Sequence, residues 1–130
     1  MEIKRNHIPV KDLDLYRTAR DLSDIGWEIY EPMDWQTKKI LGDQFISATD
    51  SFGANFVEGY SRFHYLDKIK FCYNSRASLS EARDWWLELL LKRKKIDQKI
   101  YTRYLTVAQP ASLKLQNFIN AVYKAKNDDK

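Results

Sequence analysis

The sequence predicts an all-α protein whose four helices form an up-down-up-down antiparallel bundle. Apolar residues recur at spacings of three and four in four successive segments, as they do in helices that bury one face. Only four glycines and three prolines occur in 130 residues, too few for the many turns of a sandwich or barrel. Almost no segment alternates between apolar and polar residues, which argues against strands. A chain of this length predicts one domain, residues 1–130.

The first helix is predicted over residues 12–31, after an N-terminal arm of residues 1–11 that has no apolar period. Leu15 and Leu22 belong to its apolar stripe, and Pro32 ends it because proline cannot continue a helix.

The second helix is predicted over residues 35–59, with Asp34 as its N-cap. Phe45 and Phe52 belong to its stripe. Gly53 weakens the helix and marks either a bend or the close approach of another helix.

The third helix has the clearest periodicity, over residues 64–94, and the fourth follows Asp97 over residues 97–126. Pro110 falls inside the fourth helix, where it removes a backbone hydrogen bond and is expected to kink or split it. The charged tail, residues 124–130, is expected to fray.

The composition also limits the chemistry. Cys72 is the only cysteine, so neither an intrachain disulfide nor a cysteine cluster is available, and its place on an apolar stripe predicts a core residue. Two histidines without Glu-x-x-His spacing give no di-iron site, and no glycine-rich phosphate loop exists. We expect no metal, no cofactor and no catalytic residue. No stretch has the ~18 apolar residues of a membrane span and the N-terminus does not match a secretory signal, so we expect a cytoplasmic protein without a membrane partner.

Three blocks of sequence resemble a known family. Residues 51–62, S-F-G-A-N-F-V-E-G-Y-S-R, are similar to its pattern S-I-P-S-N-I-A-E-G-x-G-R. Residues 71–81, F-C-Y-N-S-R-A-S-L-S-E, are similar to its pattern F-L-x-I-A-R-G-S-L-x-E, and residues 14–20 are similar to its first-helix start. On these blocks the chain resembles the four-helix-bundle proteins encoded by intervening sequences of bacterial 23S ribosomal RNA genes.

The resemblance implies a homopentamer of four-helix bundles whose biochemical role is largely unassigned. A relative of that family, the accessory variability protein of diversity-generating retroelements, binds nucleic acid and a reverse transcriptase. The chain departs from the family pattern at Ile46 and Ser47, where the family often has two arginines, and this departure removes two positive charges. It also has Gly53 in place of a proline and Ala77 in place of a glycine.

Polar residues on the second and third helices predict a hydrogen-bonded network between them. Asn55, Glu58 and Arg62 lie at i, i+3 and i+7 and share a face if the helix continues past Gly59. The hypothesis joins Asn55 to Ser78 and Glu81 in a partly buried network. Solvated surface and a ligand site are the alternatives. The proposed members are Asn55, Glu58, Arg62, Arg76, Ser78 and Glu81.

One cluster of cations lies where the third helix gives way to the fourth. It is either a solvated helix end, where cations suit the helix dipole, or a phosphate contact. With a formal charge of +4 per chain, a ring of five would carry about +20. The cluster comprises Lys92, Arg93, Lys94, Lys95, Lys99 and Arg103.

Three tryptophans, Trp27, Trp35 and Trp85, lie off the apolar stripes or in a connection, whereas Trp86 lies on a stripe. Interfaces favour such side chains, so the three are candidate subunit contacts; the alternative is the core or rim of the bundle.

The sequence favours a non-enzymatic oligomeric bundle with an RNA or DNA contact through its basic surface. The alternative is an adaptor for a protein partner such as a reverse transcriptase. A small enzyme or metal protein is the weakest hypothesis, because no nucleophile–base pair or ligand set is visible.

Overall fold

The structure, a computed structural model, describes residues 7–129. Residues 1–6, which make up most of the predicted arm, lie outside the described part, and so does Lys130. A short 3₁₀ turn, Val10–Asp12, precedes the first long helix.

Four long helices form the described chain, and their bounds match the predicted ones to within two residues. The second and third each contain one π-helical turn between two α-helical parts that continue into one another. The helices are α1, Asp14–Tyr30; α2, made of Trp35–Thr37, Lys38–Gly42 and Asp43–Tyr60; α3, made of Tyr65–Glu81, Ala82–Leu87 and Glu88–Lys92; and α4, Gln98–Asp128. The fourth helix continues to Asp128, two residues beyond its predicted end, and the fraying of residues 124–130 stays a prediction.

Each helix packs against the next one in the chain, and α4 packs against α1. Along every adjacent pair of helices the contacts run in opposite order, which makes each pair antiparallel and confirms the predicted bundle. The contacts are Tyr30–Asp43 and Ser23–Asp50 for α1 and α2, Phe52–Ser75 and Gly59–Phe71 for α2 and α3, Tyr73–Tyr123 and Glu88–Tyr101 for α3 and α4, and Glu28–Arg103 and Thr18–Lys114 for α1 and α4.

The core is rich in aromatic side chains. Phe45, Phe52 and Phe56 of α2 are fully buried, and each contributes about 1.5–3 kcal/mol relative to an exposed position. Tyr104 of α4 is also fully buried, and its ring lies 5.4 Å from that of Phe45. Its hydroxyl shares a 2.9 Å hydrogen bond with Thr49 Oγ1, so the polar atom that it brings into the core is satisfied.

Pro110 does not split α4, which continues through it without interruption. The residue is exposed, and helices tolerate the lost hydrogen bond more easily on a solvated face.

The glycines of α2 lie where a neighbouring helix comes close. A Cβ atom added at Gly53 would lie 3.3 Å from Ala19 Cβ, so the glycine marks a close approach of α1. A Cβ atom at Gly59 would lie 2.7 Å from Phe71 Cβ and 3.2 Å from the Lys68 carbonyl oxygen. The backbones of α2 and α3 therefore approach each other more closely there than any residue with a side chain allows.

The C-terminus of α3 is closed by a residue in the left-handed conformation. Lys94 has φ 60°, the amide of Lys95 donates to the Leu90 carbonyl at 2.8 Å, and the amide of Lys94 donates to the Leu91 carbonyl at 3.0 Å. This is the Schellman arrangement, which usually has glycine at the left-handed position.

We predict that Lys94→Gly raises the free energy of unfolding by about 1 kcal/mol, because a Cβ atom is unfavourable in the left-handed region. Urea unfolding measures the change. Lys95→Gly is the matched control: it removes the same charge at a position with ordinary φ, and we expect no gain. Equal effects of the two substitutions would contradict this account.

We predict that Gly59→Ala lowers the free energy of unfolding by roughly 1–3 kcal/mol, since the new methyl group would overlap Phe71 Cβ. Gly53→Ala is the comparison, because its new methyl group meets only the Ala19 methyl group at 3.3 Å and helix propensity improves. The interpretation of Gly59 fails if both variants unfold at the same urea concentration.

Candidate functional site

Cations from the start of α2 and from the α3–α4 connection lie at one end of the bundle, because an antiparallel bundle places the α1–α2 and α3–α4 connections at the same end. The pKa of Asp34, the residue before α2, is lowered, mainly by the hydrogen bond from the Thr37 amide and also by the positive charge of Lys95. We call this surface the basic end; its members are Lys38, Lys39, Lys92, Arg93, Lys94, Lys95 and Lys99.

Five of the six cations predicted for the cluster belong to the basic end and are exposed: Lys92, Arg93, Lys94, Lys95 and Lys99. Arg103 is the exception. Its Nη1 lies 3.0 Å from Glu28 Oε1, so it ties α4 to α1 and its charge is balanced. Arg103 lies more than a helical turn along α4 and faces α1, apart from the other five; its predicted phosphate contact stays a prediction.

Acidic side chains near this end have structural partners. Asp34 caps α2 by accepting from the Thr37 amide at 2.8 Å, and Asp97 caps α4 by accepting from the Ile100 amide at 2.9 Å. Glu88 accepts a hydrogen bond from the Tyr101 hydroxyl, which also raises the pKa of that tyrosine. Glu31 is exposed. The lysines outnumber these carboxylates, so the local field is positive.

Aromatic rings lie among the cations. Lys39 Nζ is 4.9 Å from the centroid of the Trp35 ring, and Lys38 Nζ is 4.8 Å from that of Tyr30. The Trp27 and Tyr30 rings are 5.3 Å apart. Sequence reasoning missed Lys38 and Lys39, although the i, i+4 spacing of Trp35 and Lys39 on a predicted helix was an available signal.

The predicted polar network between α2 and α3 is not formed. Asn55 Nδ2 donates to the Ser51 carbonyl at 2.9 Å, within its own helix. Glu81 is exposed and accepts from Trp86 Nε1 at 2.7 Å, while Ser78 is half-buried. No hydrogen bond joins Asn55, Ser78 and Glu81 among residues 7–129.

The other proposed members make separate contacts. Arg62 Nη2 lies 2.7 Å from Glu58 Oε2, which is the predicted i, i+4 pair, and its guanidinium lies 4.7 Å from the centroid of the Phe71 ring. Arg76 Nη1 donates to Gln116 Oε1 of α4 at 2.9 Å, so it faces away from α2.

The residue that does connect α2 and α3 through the core is Ser75. It is fully buried, and its Oγ donates to the Phe52 carbonyl at 2.5 Å. Ser75 lies three residues before Ser78 on the same helix. Three residues correspond to a rotation of about 300° around the helix axis, which is less than a full turn, so the two side chains do not point in the same direction. Sequence reasoning therefore chose the wrong serine.

The three candidate interface tryptophans are all exposed, at 54% for Trp27, 73% for Trp35 and 59% for Trp85. None of them belongs to the core of the single chain. Trp27 and Trp85 lie on α1 and α3, which occupy diagonal positions in the bundle, and Trp35 lies beside Lys39 of the basic end. Trp86 packs against the core from a half-buried position.

Cys72 is fully buried, and burial raises the pKa of its thiol to about 11. The thiol is therefore protonated at neutral pH. Residues 7–129 contain no group of three or more histidine, cysteine, aspartate or glutamate side chains that would suit a metal ion. In the same residues no helix combines the length and the apolar character needed to cross a bilayer.

The sequence and fold match known proteins. The family model described as 23S rRNA-intervening sequence protein matches residues 11–117. A crystal structure of a protein of unknown function from the S23 ribosomal protein family of Bacteroides thetaiotaomicron is similar, with a TM-score of 0.74 and 19% sequence identity. The alignment covers 81% of this chain and 97% of that one, and at this identity it concerns the fold. No curated protein matches the sequence significantly.

We predict that Ser75→Ala lowers the free energy of unfolding by about 0.5–1.5 kcal/mol, because it removes a buried hydrogen bond between helices. Glu81→Ala, which truncates an exposed side chain on the same helix, should stay within about 0.5 kcal/mol of the wild type. Urea unfolding of both variants tests this. A larger loss for Glu81→Ala than for Ser75→Ala would restore the network that sequence reasoning proposed.

Proposed function

We propose that this chain, which belongs to the 23S rRNA-intervening sequence protein family, is a non-enzymatic oligomeric bundle that binds RNA or DNA through its basic end. The observation that carries the proposal is that the exposed cations of the α3–α4 connection and the exposed Lys39 at the start of α2 lie at the same end of the bundle. A protein that places cations along phosphates gains free energy from the release of condensed counterions.

The positive charge of the basic end is available to a ligand. The side chains of Lys92, Arg93, Lys94 and Lys95 are all exposed where α3 ends. The left-handed residue Lys94 turns the chain sharply here, and consecutive side chains point in different directions. Such a spread suits contact with several phosphates rather than with one small anion.

The proposal includes a homopentamer, which the resemblance to the family implies. Trp27 and Trp85 support it, because exposed tryptophans on diagonal helices suit a ring in which one face of each subunit meets a different face of the next. Repetition of the basic end around a ring would raise the local positive field. We place this assembly in the cytoplasm. Its one cysteine is a buried thiol that forms no intrachain disulfide, so the chain does not depend on an oxidising compartment.

The alternative is an adaptor whose main partner is a protein such as a reverse transcriptase. Phe63 and Leu66, at the end of the bundle opposite the basic end, favour it, since they are 79% and 65% exposed. The non-enzymatic part of both proposals is supported by Cys72, whose thiol is buried and protonated.

The test is light scattering on a sizing column, followed by binding of a labelled RNA strand to the eluted peak across a salt series. We predict a pentamer whose affinity falls steeply with salt. The double variant Lys92→Gln/Lys95→Gln should reduce the slope of log K against log salt by about 1.4, given about 0.7 for each phosphate contact to a single strand.

The matched control is Lys11→Gln/Lys70→Gln, which removes the same charge from exposed positions away from the basic end. We expect this control to keep most of the slope. Equal losses in the two double variants would show attraction by net charge alone. Absence of binding by a pentamer would overturn the nucleic-acid proposal in favour of a protein partner, and a monomer would overturn the assembly.

A further inference from the structure

Trp35 is the most exposed tryptophan in the described residues, with 73% of its surface accessible. It is also the first residue of α2, one helical turn before Lys39 of the basic end. Lys39 Nζ lies over its ring, 4.9 Å from the centroid. With Lys39 on one side and such high exposure, the opposite face of the indole is open to a ligand.

The position of Trp35 is fixed by the helix that carries it. Asp34 caps the helix by accepting from the Thr37 amide at 2.8 Å, and Thr37 itself is buried. The amide of Lys38 donates to the Asp34 carbonyl at 3.0 Å, which closes the first turn. The indole therefore projects from an ordered turn rather than from a loose loop, which lowers the entropy cost of binding to it.

Cations surround this part of the chain. Lys39 covers one face of the Trp35 ring, and Lys38 Nζ lies 4.8 Å from the centroid of the Tyr30 ring. The pKa of Asp34, the residue before Trp35, is lowered by the hydrogen bond from the Thr37 amide and also by the charge of Lys95. Subunit interfaces are depleted of lysine, whereas sites for single-stranded nucleic acid combine a positive surface with aromatic rings. The surroundings of Trp35 therefore favour a nucleic acid over a second copy of the chain.

We infer that Trp35 stacks on an unpaired base while the neighbouring lysines contact the flanking phosphates. In a regular duplex both faces of each internal base are already stacked, so an indole on an ordered turn cannot reach them without melting the helix. The inference rests on the proposed function and narrows its ligand to single strands, loops or bulges of nucleic acid.

The experiment compares labelled oligouridine with a blunt RNA duplex of equal length, using wild type, Trp35→Leu and Trp35→Phe. Trp35→Leu should weaken binding of the single strand by roughly 5- to 150-fold, the loss of one stacked base. Trp35→Phe should keep part of that affinity because it keeps an aromatic face. The salt slope should be the same in all three, since no cation is removed, and duplex binding should change little.

Phe63→Leu is the matched control, because Phe63 is an aromatic residue that is 79% exposed and lies at the end of the bundle opposite the basic end. Light scattering of each variant shows whether assembly is intact. The inference is overturned if Trp35→Leu binds the single strand as the wild type does, if it weakens strand and duplex equally, or if it changes the oligomeric state. In those cases the salt-dependent loss in Lys92→Gln/Lys95→Gln would still support the proposed function. Failure of the wild type to bind either probe would overturn both.

Discussion

Close packing of α2 against both of its neighbours is the constraint on which the rest of the structure depends. Gly26 of α1 faces Thr49 of α2, and an added Cβ atom there would lie 2.9 Å from Thr49 Cγ2. Gly59 of α2 faces Phe71 of α3, and an added Cβ atom there would lie 2.7 Å from Phe71 Cβ. Because α2 and α3 come so close, the short Ser75 side chain reaches the Phe52 carbonyl directly. A wider spacing would leave that hydroxyl buried without a partner, at a cost of about 1–3 kcal/mol.

The same packing determines which parts of the chain meet at the basic end. Three antiparallel connections in a bundle place the α1–α2 and α3–α4 connections at one end and the α2–α3 connection at the other. Lys38 and Lys39 thereby come near Lys95, although the two segments are distant in sequence. A positive surface with an exposed indole within it results from topology and helix phase together. The start of α2 supplies the indole of Trp35 with Lys38 and Lys39, and the α3–α4 connection adds the run Lys92–Lys95.

Much of the fold could be predicted from the sequence, because apolar periodicity and the capping residues Asp34 and Asp97 define where helices begin. Which side chains face the core within each helix could not be predicted in the same way. The π-helical turn Ala82–Leu87 inserts an extra residue, so the fully buried positions after Ala82 are Leu87 and Leu90, whereas an unbroken period places Trp86 and Leu89 there. The site was predicted in part. The four consecutive cations Lys92–Lys95 could be recognised in the sequence, but the ion-pair partner of Arg103 could not, because it depends on which helix lies beside α4.

The most direct test of the account is photo-cross-linking of a 4-thiouridine-containing single strand to the wild-type assembly, with the modified peptides identified by mass spectrometry. Zero-length cross-links report which side chains touch the bases and do not depend on a variant keeping its fold. The account predicts modified peptides from the first turn of α2, with Trp35 as the main site, and from residues 92–99. Cross-links concentrated at the opposite end, around Phe63 and Leu66, or spread evenly over the helices, would contradict it.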